Sequence, residues 1–274
     1  MNIKVLTEYL EAINKTIESK KMYFHNVFEI DTTDKRQDQV GKEVTERTLN
    51  TLKDLLMERV GYFAECSDLF RIFKGKNIIR FEEIERKIPD IAFDFRDIIE
   101  KNESLVQPIP IAVIVNNDKS KVLVIKKNKD AVSLNSPENN KELIYVGGHT
   151  RFEDKNNSMN EFLAICKTAL KRERKEEIGI SIAINEQKPF LLYTPYGKSK
   201  KHLAVCFIIQ VDEESTKLRL DPHELVLKKG KSRSGRFIPV TEINTSALED
   251  WSKHILQFSF GVDTFQNEQI ELWV

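Results

Sequence analysis

The sequence has few cysteines, no excess of charge of either sign and no long apolar run. Its 274 residues include three cysteines, and 43 Lys and Arg balance 43 Asp and Glu. An odd number of widely spaced cysteines without a CxxC pair argues against a disulfide scaffold and is typical of a reducing compartment. The longest apolar run, LAVCFII at 203–209, has seven residues, whereas a membrane-spanning helix needs about 20.

These absences bear on partners and location. Because the net charge is zero, overall electrostatic attraction gives no reason to expect nucleic acid or a membrane as the main partner. The first residues, MNIKVLTEYLEAINK, interleave charged and apolar side chains, so no secretory signal is expected. We therefore expect a cytoplasmic protein that acts on a small molecule, and the sequence leaves a homodimer open.

The first hundred residues have the pattern of helices. Apolar residues at three- and four-residue steps predict two amphipathic helices, carried by Ile3, Leu6, Leu10, Ile13 and Ile17 and by Leu49, Leu52, Leu56 and Val60. Residues 78–100 are predicted to form one or two short helices interrupted at Pro89. We therefore predict a helical N-terminal region of unknown role over 1–105 and a second domain over 106–274.

From residue 106 the pattern changes to strands. Apolar runs rich in β-branched residues predict strands beginning near Ile111 and over 121–127, 142–148, 189–195, 202–211 and 235–243. A long helix is predicted from the capping box Ser158/Glu161 to Gly179, and a final helix from the capping box Ser246/Glu249. This order predicts a mixed α/β (α+β) fold in which helices pack on a mixed sheet.

The end of the long helix, KRERKEEIGI at 171–180, carries an unusual acidic cluster. At about 100° per residue, Glu173, Glu176 and Glu177 share roughly a quarter of the helix circumference. They lie in the last two turns, where the helix dipole disfavours acids by about 0.3–1 kcal/mol each. The interleaved bases allow a solvated, salt-bridged face, whereas acids at the unfavourable helix end suggest a bound cation. Carboxylates without a His/Cys cluster favour Mg²⁺ or Mn²⁺ over zinc.

RERKEEIGI at 172–180 resembles the second half of the Nudix box. The pattern of that box is Gly, five residues, Glu, seven residues, then Arg-Glu-apolar-any-Glu-Glu-any-Gly-apolar. Six positions match here: Arg172, Glu173, Glu176, Glu177, Gly179 and Ile180. Upstream, Gly147-Gly148 follows a predicted strand, and after five intervening residues Asp154 stands in place of Glu. The resemblance, to the MutT-like branch of the Nudix superfamily, covers about 105–274.

Three departures from the pattern are visible. Seventeen residues, instead of seven, separate Asp154 from Arg172, Asp replaces the first Glu, and Arg174 occupies a position that is normally apolar. The departures favour a binding module that has lost activity, whereas the intact Glu173/Glu176/Glu177 set favours an enzyme.

The resemblance implies a hydrolase that uses Mg²⁺ or Mn²⁺ to cleave a diphosphate bond in a nucleoside diphosphate linked to another moiety. It implies Glu173, Glu176, Glu177 and Asp154 as metal ligands, and Glu176 is the alternative water activator. Arg172 is implied to orient Glu173. A substrate-binding role is expected for Gly147, Gly148, His149 and Arg151.

The general base is the least defined assignment. Glu214 and Glu224 both lie in the polar connection before the strand at 235–243, and Glu224 is the preferred candidate. Two other classes remain open: a ligand-sensing module on a Nudix scaffold with a helical partner-interaction region, and a structural interaction protein that binds no metal.

Overall fold

The computed structural model describes residues 58–63, 66–129, 131, 136–155, 162–180, 188–227 and 234–264, without the side chains at 66–68, 70 and 198. The chain divides between residues 58 and 59 into two units, and the elements described here lie in the second, Arg59–Val274. The helices predicted over 3–17 and 49–56 and the capping box Ser158/Glu161 lie outside the described residues. The described helices lack the length and hydrophobicity that a membrane crossing requires.

The described chain contains ten strands. They are β1 (Arg59–Tyr62), β2 (Ile78–Arg80), β3 (Ala92–Phe95), β4 (Gln107–Asn116), β5 (Lys121–Lys126), β6 (Glu142–Leu143), β7 (Val146–Gly147), β8 (Phe190–Tyr193), β9 (His202–Val211) and β10 (Arg236–Pro239). Five α-helices accompany them: α1 (Cys66–Phe73), α2 (Phe81–Ile84), α3 (Arg96–Lys101), α4 (Phe162–Ile178) and α5 (Asp250–Phe260). The element types confirm the predicted mixture of helices and sheet in this part of the chain.

A mixed sheet forms the centre of the fold, in the strand order β10-β5-β4-β9-β8-β2. Strands β4 and β9 pair in parallel along their whole length, and the other neighbours are antiparallel. The apolar run of β4 is buried at nearly every position, as expected for a strand covered on both faces. The short strand β6 pairs with β5, and β7 pairs with β4. Strands β1 and β3 form a separate two-stranded sheet.

The long helix α4 packs on β4 and β7 and positions the acidic cluster. Its buried apolar residues are Phe162, Leu163, Ile165, Cys166, Ala169 and Leu170. The helix ends as predicted at Gly179, which adopts a left-handed φ of 71°. The Ile180 N–H then donates to the Arg174 carbonyl over 3.2 Å, so the chain turns back on the last turn of the helix.

Three of the local predictions need correction. Val60 belongs to β1 and not to a helix, because antiparallel pairing with Asp94 overrides its helical spacing. Residues 78–100 do contain short helices, but β2 and β3 interrupt them. The final helix is capped by Glu249 itself, whose side chain accepts from the Ser252 N–H. The Ser246/Glu249 capping box is therefore wrong.

Residues 59–105 contribute directly to the central sheet. Strand β2 pairs with β8, with Ile79 opposite Leu191. Phe63 forms an isolated bridge with Val106, and each of these two residues donates its N–H to the carbonyl of the other. A domain division at residue 105 stays a prediction from the sequence.

Candidate functional site

The site begins at the end of β7, where the backbone passes unusually close to β4. Gly147 pairs with Ile111 and has a φ of 154°. A Cβ at this position would lie 2.2 Å from the carbonyl oxygen of Pro110. Because that oxygen belongs to the backbone and cannot move aside, glycine is required here.

Gly148 brings the next stretch of backbone against the acidic cluster. A Cβ at this position would lie 2.7 Å from the carboxylate carbon of Glu173 and 2.8 Å from both of its oxygens. The Glu173 carboxylate therefore lies directly against the loop after β7. This close approach is the geometry that the sequence pattern attributes to Gly148.

The three acids of α4 differ sharply in burial. Glu173 and Glu177 are 8% and 3% exposed, whereas the Glu176 side chain is 50% exposed. Residues four apart lie on one helix face, and this face turns inward toward the loop after β7. Only Glu173 and Glu177 form a buried pair of carboxylates.

Arg172 joins the acids of the loop to those of the helix. Its guanidinium ion-pairs with Glu173 and donates to Asp154 through Nε over 3.2 Å and Nη2 over 2.8 Å. It also donates to the His149 carbonyl over 3.0 Å, and its Nη1 lies 3.6 Å from Glu176 Oε2. The predicted orientation of Glu173 by Arg172 agrees with these contacts.

Asp154 is 4% exposed and lies in a short 3₁₀ turn, Phe152–Asp154. Both of its carboxylate oxygens accept hydrogen bonds from Arg172, and one also accepts from the Arg151 N–H over 2.8 Å. Positioning Arg172 is therefore the role that its contacts support. A role as metal ligand stays a prediction.

A second positively charged side chain lies at the other end of the acid pair. Lys127, the residue after β5, ion-pairs with Glu177 through Oε1, and its Nζ lies 3.7 Å from Glu224 Oε2. Glu224 thus lies near the cluster with its side chain 38% exposed, and its role as general base stays a prediction. Glu214 is exposed in the turn after β9.

Burial dominates the electrostatics of the acid pair. It raises the pKa of Glu177 to about 7 and raises the pKa of Glu173 above its usual value, in spite of the neighbouring cations. The Oε2 atom of Glu177 is buried without a hydrogen-bond partner among the described residues. A buried carboxylate oxygen without a partner is costly, so this atom is the natural place for a cation.

The predicted substrate-side residues lie next to the pair. His149 is half-buried and follows Gly148, and its Nε2 has no hydrogen-bond partner among the described groups. Arg151 extends from the same loop, and its Nη2 lies 4.0 Å from Glu173 Oε1. The loop after β7 therefore brings an imidazole and a guanidinium to the edge of the acidic cluster.

A polar cluster that the sequence did not reveal lies beyond His149. Tyr145 Oη lies 3.1 Å from Glu138 Oε1 and 3.2 Å from Glu249 Oε2, and burial raises the pKa of Glu249 to about 7. The His202 ring stands edge-on between those of His149 and Trp251, at centroid distances of 6.0 and 6.4 Å. No spacing rule links these residues, because four separate segments contribute them.

No protein-family model matches the chain, and no curated protein matches it either. Among solved structures it is similar to Tm1382, described as a candidate Nudix hydrolase, with a TM-score of 0.50 and 22% identity. That similarity covers 73% of this chain and 97% of Tm1382. The chain has the Nudix fold.

Two MutT structures also match. MutT from Burkholderia pseudomallei matches with a TM-score of 0.36 and 15% identity, over 55% of this chain and 97% of that protein. A MutT from a study of the Aliivibrio salmonicida and Vibrio cholerae proteins matches with a TM-score of 0.33 and 16% identity, over 56% and 98% of the two chains.

The resemblance to the Nudix box implies a divalent cation, and the donor atoms present are of the right kind. Glu173 and Glu177 offer carboxylate oxygens, which hard cations prefer, and Glu177 Oε2 is buried without a partner among the described groups. Within the described ranges, no three His, Cys, Asp or Glu side chains are arranged to hold an ion. The type of donor atom nevertheless fits Mg²⁺ or Mn²⁺. In this structure Arg172 and Lys127 form ion pairs with the two carboxylates.

Gly148→Ala is expected to lower activity and metal affinity at least about tenfold, because its methyl group would displace the Glu173 carboxylate. The carboxylate is the end of a flexible side chain, so the fold should lose little stability. Calorimetric titration with Mn²⁺ and thermal unfolding measure the two effects. Unchanged metal affinity in a folded variant would contradict the placement of Glu173 at the site.

Proposed function

We propose that the protein is a hydrolase that uses Mg²⁺ or Mn²⁺ to cleave a diphosphate bond in a nucleoside diphosphate linked to another moiety. The observation that carries this proposal is the buried pair Glu173 and Glu177, one helical turn apart and closed on one side by the Gly148 backbone. Burying two carboxylates on one helix face is costly even with Arg172 and Lys127 beside them, so a function is the best reason for their presence.

Each residue of the site then has a distinct role. Glu173 and Glu177 would hold the ion, and the exposed Glu176 would complete the ligand set or activate water. Arg172, fixed by Asp154, would keep the Glu173 carboxylate in place. When bound, the ion would polarise the phosphate oxygens and lower the pKa of a bound water.

The residues around the acid pair would bind substrate. Gly147 and Gly148 would hold the loop backbone against the acid pair, so that Arg151 and His149 could contact phosphate oxygens. Glu224 is the candidate general base, since it is partly exposed and lies beside the cluster. A base must reach its proton directly or through one water, and the loop carrying Glu224 adjoins the site through Lys127.

A ligand-sensing module is the second candidate. It is favoured by the two cations that already neutralise Glu173 and Glu177. It is also favoured by the absence, in the described ranges, of a ready-made group of three metal-binding side chains. In that case a nucleotide would bind without being cleaved.

A phosphate-release screen tests the proposal. Wild-type protein and Glu177→Gln are incubated with a panel of nucleoside diphosphate derivatives, with Mg²⁺ or Mn²⁺ and then with EDTA. We expect wild-type turnover that EDTA abolishes, and a loss of at least about 100-fold in the folded variant. If no substrate is cleaved but a nucleotide raises the wild-type melting temperature, the sensing module is correct instead.

A further inference from the structure

Lys127 is a buried lysine in a place that the proposed chemistry does not explain. It follows β5, forms an isolated bridge with Leu225 and is 9% exposed. Lysine is almost never buried unless its charge is paired, because removing an ammonium from water is costly. The contacts of this ammonium should therefore reveal what it does.

Those contacts are carboxylates of the candidate site. The ammonium ion-pairs with Glu177 Oε1 and lies 3.7 Å from Glu224 Oε2. Carboxylates this close favour the charged form of an ammonium group, so Lys127 acts as a cation toward Glu177.

The partners of the two buried acids differ in one respect. Arg172 contacts Glu173 but is also held by both oxygens of Asp154. Lys127 lacks such a bidentate partner among the described residues: its salt bridges are to Glu177 and Glu224. An ammonium on a flexible stem can also move more readily than a guanidinium fixed by two parallel bonds.

We propose that Lys127 is a built-in counter-ion for Glu177, which a divalent cation must displace in order to bind at the acid pair. This inference rests on the proposed metal site. It deepens the proposed function by making metal uptake an exchange of one cation for another. The lysine stabilises the metal-free protein and at the same time weakens its affinity for the ion.

Replacing Lys127 should lower the stability of the metal-free protein and raise its affinity for metal. Without the ammonium, Glu177 loses its buried ion pair, so the metal-free protein should be less stable. The same change removes the positive charge that repels an incoming divalent ion, so metal should bind more tightly. A merely structural salt bridge would lower stability without tightening metal binding.

The experiment compares wild type, Lys127→Met and the control Lys126→Met, whose side chain leaves the opposite face of β5. Calorimetry measures Mn²⁺ affinity, and thermal unfolding in EDTA measures the stability of the metal-free protein. For Lys127→Met we expect Mn²⁺ to bind at least about tenfold more tightly, and the melting temperature in EDTA to fall by about 5 °C. Lys126→Met should match wild type in both.

Two results would overturn the inference. If wild type binds Mn²⁺ and Lys127→Met binds it equally or more weakly, the counter-ion role is wrong and the proposed function stands. If neither protein binds Mn²⁺, both the inference and the proposed metal site are wrong. Should Lys127→Met fail to fold, Lys127→Gln, which can still donate to Glu177, carries the same expectation for affinity.

Discussion

Replacing Glu173 with glutamine is expected to lower hydrolysis by more than about 100-fold while leaving the protein folded. Loss of a residue that only supports a metal ligand costs about 10–100-fold, so loss of a ligand should cost more. The fold should survive because Arg172 keeps its two hydrogen bonds to Asp154. Glutamine also has nearly the shape of glutamate and places no anion in a buried position.

The matched control is Glu153→Gln. Glu153 is exposed in the turn that carries Asp154, so the same chemical change is made a short distance away without touching the buried pair. Steady-state kinetics and Mn²⁺ calorimetry should show wild-type values for Glu153→Gln and a loss of both turnover and metal binding for Glu173→Gln. Turnover by Glu173→Gln within a few-fold of wild type would exclude Glu173 as a ligand.

Much of the fold was predictable from local patterns. The runs over 202–211 and 121–127 became β9 and β5, because β-branched apolar segments bounded by turns have few alternatives to a buried strand. Gly179 ended α4 as expected. Val60 was not predictable, since its helical spacing was overridden by pairing with a strand more than thirty residues away.

The acidic cluster was predictable only in part. Helical geometry brought Glu173, Glu176 and Glu177 to one side of α4, but it could not distinguish the two buried carboxylates from the half-exposed one. That difference depends on which neighbour covers each position. The cover comes from the loop at Gly148 and from Lys127, which are distant in the sequence.

Lys127 shows why the electrostatics of the site could not be predicted from the sequence. It follows Lys126 at the end of β5, and the alternation of side chains between the two faces of a strand does not identify which of the two lysines is buried. Glu249 is a similar case, because it was expected in the first turn of a capping box and instead caps α5 and contacts Tyr145. Long-range packing, which no spacing rule encodes, decides both.

Two partly buried imidazoles make the stability of the fold depend on pH. Burial lowers the pKa of His202 to about 4 and holds that of His149 well below its usual value. The unfolded chain then binds more protons than the folded one, so this stability is present above about pH 6.5 and is lost as pH falls toward 4. The raised pKa values of Glu177 and Glu249, both about 7, act oppositely, since their stabilisation is lost as pH rises from about 4.5 to 7.

His202→Phe is expected to remove on the order of 2 kcal/mol of the stability difference between pH 7.5 and pH 4.5. Comparing variant with wild type cancels the opposing carboxyls, and phenylalanine preserves an aromatic ring against Trp251. Urea unfolding at both pH values measures the effect, and the exposed His223 provides the control His223→Phe. If His202→Phe loses as much stability on acidification as wild type, His202 is not held neutral in the folded protein.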